Sequence, residues 1–231
     1  MKELAVNQWI RSMQACALVG LPVLWLLMLS LHFRSLADCF ALRLRYQPAS
    51  AHDRVAGLIA AQNHWLMIHD PHLIGYLSLP LLVLGAFGLY SLGRPLRPAF
   101  AALGLARTVT GCIYLGGVFG LFTALIRGLG NVEVRYLDGA AAMYGAVTAN
   151  QGAYGLTRAL AELALLGIAL QAAVLWGARG IPRWAPVVVC FGCALFLAFW
   201  DVDNLMFFGT ICLLAGFVPM SKALRQSRNL G

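Results

Sequence analysis

The sequence is short of charged side chains, of recognisable catalytic motifs and of internal repetition. Asp, Glu, Lys and Arg make up 11% of its 231 residues, whereas about a quarter of the residues of a soluble domain are charged. A water-soluble fold of this size could not cover its surface with so little charge. The sequence contains no phosphate-binding loop, nucleophile elbow or dinucleotide fingerprint. It also has no repeat of the kind found in inverted-repeat transporters.

What the chain has instead is long apolar runs, and these predict an all-α membrane fold. Hydrophobic residues make up 61% of the chain, and a helix of about 20 such residues crosses the hydrocarbon core of a bilayer. We predict a single integral membrane domain, 1–231, that forms a polytopic bundle of six transmembrane helices. Their expected ranges are 14–33, 71–92, 98–126, 153–177, 183–200 and 204–220. A break is required at Trp200–Asn204, because residues 182–219 as one helix would measure about 57 Å.

Three local patterns refine this layout. A short amphipathic helix is expected at the membrane surface between the first and second spans, since Ser50 and Asp53 fit a capping box and apolar residues follow at helical spacing. Asp70 and Pro71 then fit the start of the second span. In the third span, Gly116-x-x-x-Gly120 predicts close approach of a neighbouring backbone.

The charge distribution predicts the location. The net charge of +8 comes from Lys and Arg at the ends of the apolar runs, so we interpret it as a topology and headgroup signal rather than a nucleic-acid site. Nine of these residues fall on the side that holds both termini and six on the other. We expect a multi-pass protein of the bacterial inner membrane with both termini in the cytoplasm. Its partners are the lipid bilayer and, in one hypothesis, another membrane protein.

The order of elements resembles a known architecture. The residues that carry the likeness are Ala60-Ala61-Gln62-Asn63-His64-Trp65 after the first span, Gly88-Leu89-Tyr90 at the end of the second, and Ile181-Pro182-Arg183-Trp184 at the start of the fifth. In these features the chain resembles bacterial six-helix membrane proteins catalogued only as a domain of unknown function. The resemblance implies an architecture and supplies no reaction and no cofactor.

Ionisable residues inside the spans are the candidates for function, because each is costly in a bilayer unless paired or hydrated. Arg158 and Glu162 lie four residues apart on one face of the fourth span and could form an ion pair. Arg107 in the third span could join them, and Gln171 lies further along the fourth. These residues either bind a ligand or hold the helices together.

Three further clusters allow a chemical and a structural interpretation. Asp201 and Asp203 could hold a metal, bind a cation or protonate an isoprenoid-like lipid, or could simply form a polar turn. His64, His69 and His72 are weak metal candidates without a recognised ligand spacing, and they fit interfacial histidines equally well. Cys190 and Cys193 share a redox spacing but lie in an apolar run, where we expect them to pack.

Three functions remain open from the sequence. The first is a non-enzymatic subunit of a membrane complex, or a lipid-responsive protein. The second is an intramembrane enzyme acting on a lipid or isoprenoid, with Glu162, Asp201 or Asp203 as the acid and Arg107 or Arg158 as the headgroup ligand. A small-solute transporter is third, because few polar residues could line a path.

Overall fold

The computed structural model describes residues 2–31, 33, 40, 50–60, 70–149, 152–199 and 203–226, with only the backbone at 2–6 and 70. No strand occurs among these residues. The helices are α1 (Lys2–Ser30), α2 (Ala51–Ala60), α3 (Asp70–Gly93), α4 (Pro98–Gly130), α5 (Leu137–Thr148), α6 (Gly152–Ala161), α7 (Leu163–Val174), α8 (Trp184–Ala198) and α9 (Asp203–Gln226), with a 3-10 turn at Val134–Tyr136.

The predicted membrane bundle is confirmed, with five helices rather than six that reach spanning length. Long apolar helices occur at Asn7–Ser30, Pro71–Gly93, Pro98–Gly130, Gly152–Val174 and Asp203–Gln226. The fourth of these spans consists of α6 and α7 together. The fifth of the predicted six, α8, is apolar but has only 15 residues, or about 22 Å. It is short because the preceding turn extends to Arg183 and because Phe199 leaves the helical conformation, with φ −129° and ψ 40°.

Helix α9 ends at Gln226, six residues beyond its predicted end at residue 220, and two other helices also extend beyond their predicted bounds. Helix α1 starts at Lys2 rather than at residue 14, and its residues 7–13 are exposed. Helix α4 continues past the predicted end at residue 126 to Gly130, because Leu129 in its last turn is fully buried against α2 and α5. Both extensions add helix outside the apolar runs, where hydropathy gives no signal.

The spans form a closed ring in which α3 also reaches inward. Each of α1, α3, α4, α7, α8 and α9 packs against the next, and α9 returns to α1. Helix α3 additionally contacts α7 and α9. Leu18, Leu89, Leu175 and Phe217 are among the large side chains buried in the shared core. This interior is filled by apolar side chains from all six helices of the ring.

Glycines on α4 and α7 bring these two helices to backbone contact. A Cβ atom on Gly104 would lie 3.1 Å from the carbonyl oxygen of Gly167, and one on Gly111 would overlap the backbone of Leu163 and Ala164. Among the described residues, no helix of the same chain makes the close backbone approach predicted at Gly116 and Gly120. The atoms nearest to them belong to the side chains of Leu79 and Tyr76, and no backbone atom of another helix comes within 4 Å.

At the end of the bundle opposite the chain termini, α2 and α5 pair into a small cap. The predicted capping box forms, with the Asp53 amide donating to Ser50 Oγ at 3.0 Å. The apolar face of α2, Val55 and Ile59, packs on α5 and the end of α4 rather than on lipid. Helix α5 lies in the stretch Arg127–Gly152, between the third and fourth predicted spans, where no helix is predicted. Its buried Ala140, Ala141 and Tyr144 form the face that meets α2.

Candidate functional site

The buried polar groups of the bundle mostly bond to helix carbonyls. Gln171, 1% exposed, donates from Nε2 to the carbonyl oxygen of Ala86 on α3 at 2.9 Å and accepts a long contact from Thr108 Oγ1 at 3.5 Å. Thr108 itself donates to the Gly104 carbonyl. The predicted binding residue Gln171 therefore joins α3, α4 and α7, and its bonding capacity is used for packing.

The hydroxyls of Ser78, Thr210 and Ser221 follow the same rule. Each is buried and donates to a backbone carbonyl at 2.7–2.8 Å. Ser78 also accepts the indole N–H of Trp25 at 2.8 Å, which ties α1 to α3. Gln14 differs, since its Oε1 atom is buried with no hydrogen-bond partner among the described residues. These groups are distributed through the bundle and do not converge on one cavity.

Arg158 and Glu162 lie one turn apart, as predicted, and both are half-buried. These two described side chains do not form an ion pair with each other. Arg158 shares its helix face with Leu165 and Ala172, which are core residues, so it faces the bundle interior. Glu162 is the single residue between α6 and α7, and helical hydrogen bonds continue through it from Leu165 and Leu166.

Asp203 lies in the same half of the molecule as Arg158. The Cys190 thiol donates to the Ala169 carbonyl at 3.4 Å, which fixes the antiparallel register of α7 and α8. Arg158 lies eleven residues before Ala169. Because the two helices are antiparallel, the same level is reached eleven residues after Cys190, where α8 has ended and α9 is about to begin at Asp203. Asn204, next to Asp203, is buried. Asp201 lies outside the described residues.

Arg107 does not join this group. Its level on α4 is fixed by its neighbour Thr108, which meets Gln171, and by Gly111, which meets Ala164. That level is six residues from Glu162 along α7, or about 9 Å. The Arg107 side chain is exposed on the outside of the bundle. The expectation that Arg107 could complete a site with Arg158 and Glu162 is therefore not met.

His72 lies in an aromatic cluster at the α3–α4–α6 contact. Its ring stacks on Phe122 with centroids 5.5 Å apart and meets Phe119 edge-on at 6.5 Å. Phe122 in turn contacts Tyr154 of α6 at 5.8 Å. His64 and His69, the other predicted metal candidates, lie outside the described residues. Within the described ranges, no three His, Cys, Asp or Glu side chains are grouped to hold a metal.

The main open spaces lie on the outer surface of the bundle. The α3/α4 groove, about 730 Å³, runs between residues 76–83 of α3 and 109–120 of α4. Three glycines, Gly116, Gly117 and Gly120, line it. The α7/α8 groove, about 360 Å³, is lined by Ala173, Trp176, Pro186, Val187 and Cys190. Both grooves are apolar, and neither contains Arg158, Glu162 or Asp203.

Comparisons of the chain with protein-family models, with curated proteins and with solved structures find no match. The resemblance to bacterial six-helix membrane proteins therefore stays a prediction.

Sequence reasoning missed the tightest helix contact, that of Gly104, Gly111 and Gly167. A signal was present, because Gly104, Thr108 and Gly111 are small residues at helical spacing on one face of α4. Gly116-x-x-x-Gly120 drew attention instead because its spacing matches a familiar dimer motif. Spacing alone does not tell which of several small-residue faces meets a helix of the same chain.

Proposed function

We propose that this chain is a non-enzymatic, multi-pass protein of the bacterial inner membrane that acts as a subunit by binding another membrane protein. The observation that carries the proposal is where the buried polar side chains and the open grooves lie in the bundle. Buried polar groups such as Gln171 and Ser221 bond to helix carbonyls, and apolar side chains fill the core. The α3/α4 groove, about 730 Å³, opens to the outside of the bundle.

The α3/α4 groove suits an apolar helix of a partner protein. Of the five helices of spanning length, α4 is the least buried. In its apolar 18-residue segment 28% is buried, compared with 50% for the corresponding segments of α1 and α9. Ile113 beside the groove is 70% exposed, and Gly116, Gly117 and Gly120 leave a floor without side chains. Small residues of this kind allow membrane helices to gain van der Waals contact, which drives their association in lipid.

Filling the groove tests the proposal. In Gly120→Leu the new side chain enters the groove, where the nearest atom to a Cβ is Tyr76 Cε2 at 4.0 Å. In the matched control, Gly128→Leu, the same side chain is added to the same helix at a position with no atom within 4 Å. Each variant is purified in nanodiscs from the native membrane and its partners are quantified by mass spectrometry.

We expect Gly120→Leu to lower recovery of a stoichiometric protein partner about tenfold, which corresponds to about 1.4 kcal/mol. Gly128→Leu should leave recovery unchanged. Equal recovery with both variants would overturn the assignment of the groove. Recovery of lipid alone, with no stoichiometric protein from the unmodified chain, would overturn the subunit proposal itself.

An intramembrane enzyme acting on a lipid or isoprenoid is the second candidate. It is favoured by one observation, that Arg158, Glu162 and Asp203 lie in the same half of the bundle, with Arg158 facing inward. In this function Arg158 holds an anionic headgroup and Glu162 or Asp203 supplies a proton. Turnover of a lipid by the purified chain, abolished in Glu162→Gln while its melting temperature is kept, would favour this candidate over the first.

The proposed orientation places both termini in the cytoplasm. The ring of spans puts the start of α1 and the end of α9 at one end, together with Arg94, Arg97, Arg179 and Arg183 in the turns. Short loops rich in Arg are retained in the cytoplasm. A fluorescent-protein fusion at the C-terminus should therefore be active, and an alkaline phosphatase fusion at the same position inactive. The reverse result would contradict the orientation.

A further inference from the structure

The turn between α7 and α8 holds two arginines in a fixed outward position. Gly177 and Gly180 adopt φ of +81° and +80°, a region that suits glycine and reverses the chain tightly. The Ile181 amide donates to the Ala178 carbonyl, and the Ile181 side chain is buried in the bundle core. The turn is therefore anchored by Ile181, which leaves Arg179 and Arg183 exposed on either side.

An apolar groove begins directly beside this turn. The α7/α8 groove, about 360 Å³, runs from Trp176 toward the middle of the two helices. Trp176 and Trp184 are 58% and 52% exposed where the groove meets the turn. Exposed tryptophans mark the headgroup level of a membrane. The groove thus extends from the headgroup level into the depth where acyl chains lie.

No carboxylate among the described side chains is near these arginines. The closest one along α6 and α7 is Glu162, twelve residues from Val174, which is about 18 Å of helix. The described residues at this end of the bundle carry seven exposed Lys and Arg side chains: Arg11, Arg94, Arg97, Arg179, Arg183, Lys222 and Arg225. Clustered Lys and Arg side chains at a membrane surface attract anionic lipid headgroups.

We infer that the α7–α8 turn and the α7/α8 groove bind one anionic phospholipid, with its phosphate between Arg179 and Arg183 and an acyl chain in the groove. Guanidinium groups bind phosphate oxygens through charge-assisted hydrogen bonds. The apolar lining of Ala173, Pro186 and Val187 suits a hydrocarbon chain and offers nothing to a free phosphate. This site goes beyond the proposed partner contact on α3 and α4 and does not depend on it.

Competition between two lipids tests this lipid site. The full chain is equilibrated in detergent with equal amounts of phosphatidylglycerol and phosphatidylcholine of the same acyl length, and retained lipid is counted by native mass spectrometry. Removing both charges in Arg179→Gln/Arg183→Gln should lower the ratio of bound phosphatidylglycerol to phosphatidylcholine. Each Arg near a membrane surface accounts for about fivefold in anionic-lipid affinity, so roughly 25-fold is expected for the pair.

The matched control is Arg94→Gln/Arg97→Gln, which removes the same charge at the same end of the molecule. The control arginines lie away from the groove. They adjoin Gly93, which packs on Val174 and Leu175. The groove is lined by Ala173 and Trp176, on another face of the same end of α7. The control should change the lipid ratio by less than about twofold. An equal decrease in both double variants would show that only the diffuse positive field attracts lipid, and would overturn the site.

The groove is tested with all arginines intact. Ala173→Trp places an indole in the groove and should lower retention of both lipids, while a chain that keeps its phosphatidylglycerol would overturn the acyl-chain position. Glycerol phosphate distinguishes a lipid from a free anion as the ligand. It should not displace bound phosphatidylglycerol, and complete displacement would overturn the lipid assignment.

Discussion

The closest helix contact in the bundle makes a specific prediction for Gly111→Ala. Gly111 lies on the face of α4 that meets the start of α7. A Cβ added there would overlap the amide nitrogen of Ala164 and lie 2.7 Å from the carbonyl carbon of Leu163. These are backbone atoms of a helix, which cannot rotate away as a flexible side chain can. Helices α4 and α7 must therefore separate, or the chain must bend.

The size of the effect follows from two opposing terms. In an unobstructed helix, alanine is favoured over glycine by about 0.5–1 kcal/mol because it loses less backbone freedom on folding. Overpacking a well-packed core costs about 1–3 kcal/mol. The contact of Gly111 is with backbone, which favours the upper part of that range. We expect Gly111→Ala to destabilise the bundle by about 1–2 kcal/mol net.

The matched control is Gly128→Ala in the same helix, where an added Cβ meets nothing within 4 Å. It should be neutral or stabilising by up to about 1 kcal/mol. Reversible unfolding in mixed micelles of increasing sodium dodecyl sulfate, followed by circular dichroism, compares the two free energies of unfolding. If Gly111→Ala is as stable as Gly128→Ala, the backbone contact between α4 and α7 is refuted.

Three further substitutions test other features by the same unfolding measurement. Gln171→Leu removes the bond to the Ala86 carbonyl and should cost about 0.6 kcal/mol, the average for such bonds in membrane proteins, and no more than about 1.7; a larger loss would indicate a role beyond this bond. Trp25→Phe removes the bond to Ser78 and also part of the packing of a buried indole against Phe196, so only the share due to the bond, about 0.6 kcal/mol, should vanish in a Ser78→Ala background. Gly180→Ala should cost about 1–2 kcal/mol through its positive φ alone, since no atom lies within 4 Å of an added Cβ; an unchanged stability would contradict this turn.

The membrane bundle could be predicted from the sequence because bilayer thickness and hydropathy constrain the length and composition of each span. The starts of α3 at Asp70 and α4 at Pro98 agree with the predicted ones within a residue, since proline at the first helical turn is a strong local signal. The end of α4 could not be predicted. Its last turn, with Leu129, is stabilised by contact with α2 and α5, which a local pattern does not contain.

Helix α5 shows the same limit in another form. Its buried face consists of Ala140, Ala141 and Tyr144, small or amphipathic residues that produce a weak periodic signal. The cluster that buries this face includes Val55 and Ile59 of α2, about 80 residues earlier in the chain, and Leu129 of α4. Short helices are marginal without such tertiary contacts. The cap therefore exists only because the fold brings the two segments together.

The sequence could predict which residues are candidates for the site, but not how they are arranged in the bundle. Polar residues inside apolar runs identified Arg107, Arg158, Glu162 and Gln171 as candidates. Which way each faces depends on helix rotation and crossing, and these are determined by glycine contacts such as that of Gly104 with Gly167. The structure consequently separates Arg107, on the outer surface, from Arg158, which faces inward, although both lie within apolar spans.

The two sets of glycines on α4 allow folding and association to be tested independently. Gly104 and Gly111 face the backbone of α7, so the surface they provide is already occupied within the chain. Gly116 and Gly120 face only side chains of α3 and border an open groove, so their surface can accept a partner. Gly111→Ala should therefore lower stability and partner recovery together, whereas Gly120→Leu should lower recovery while the unfolding free energy is kept. If both variants lower stability equally, the groove belongs to the folded core and the lateral contact must lie elsewhere.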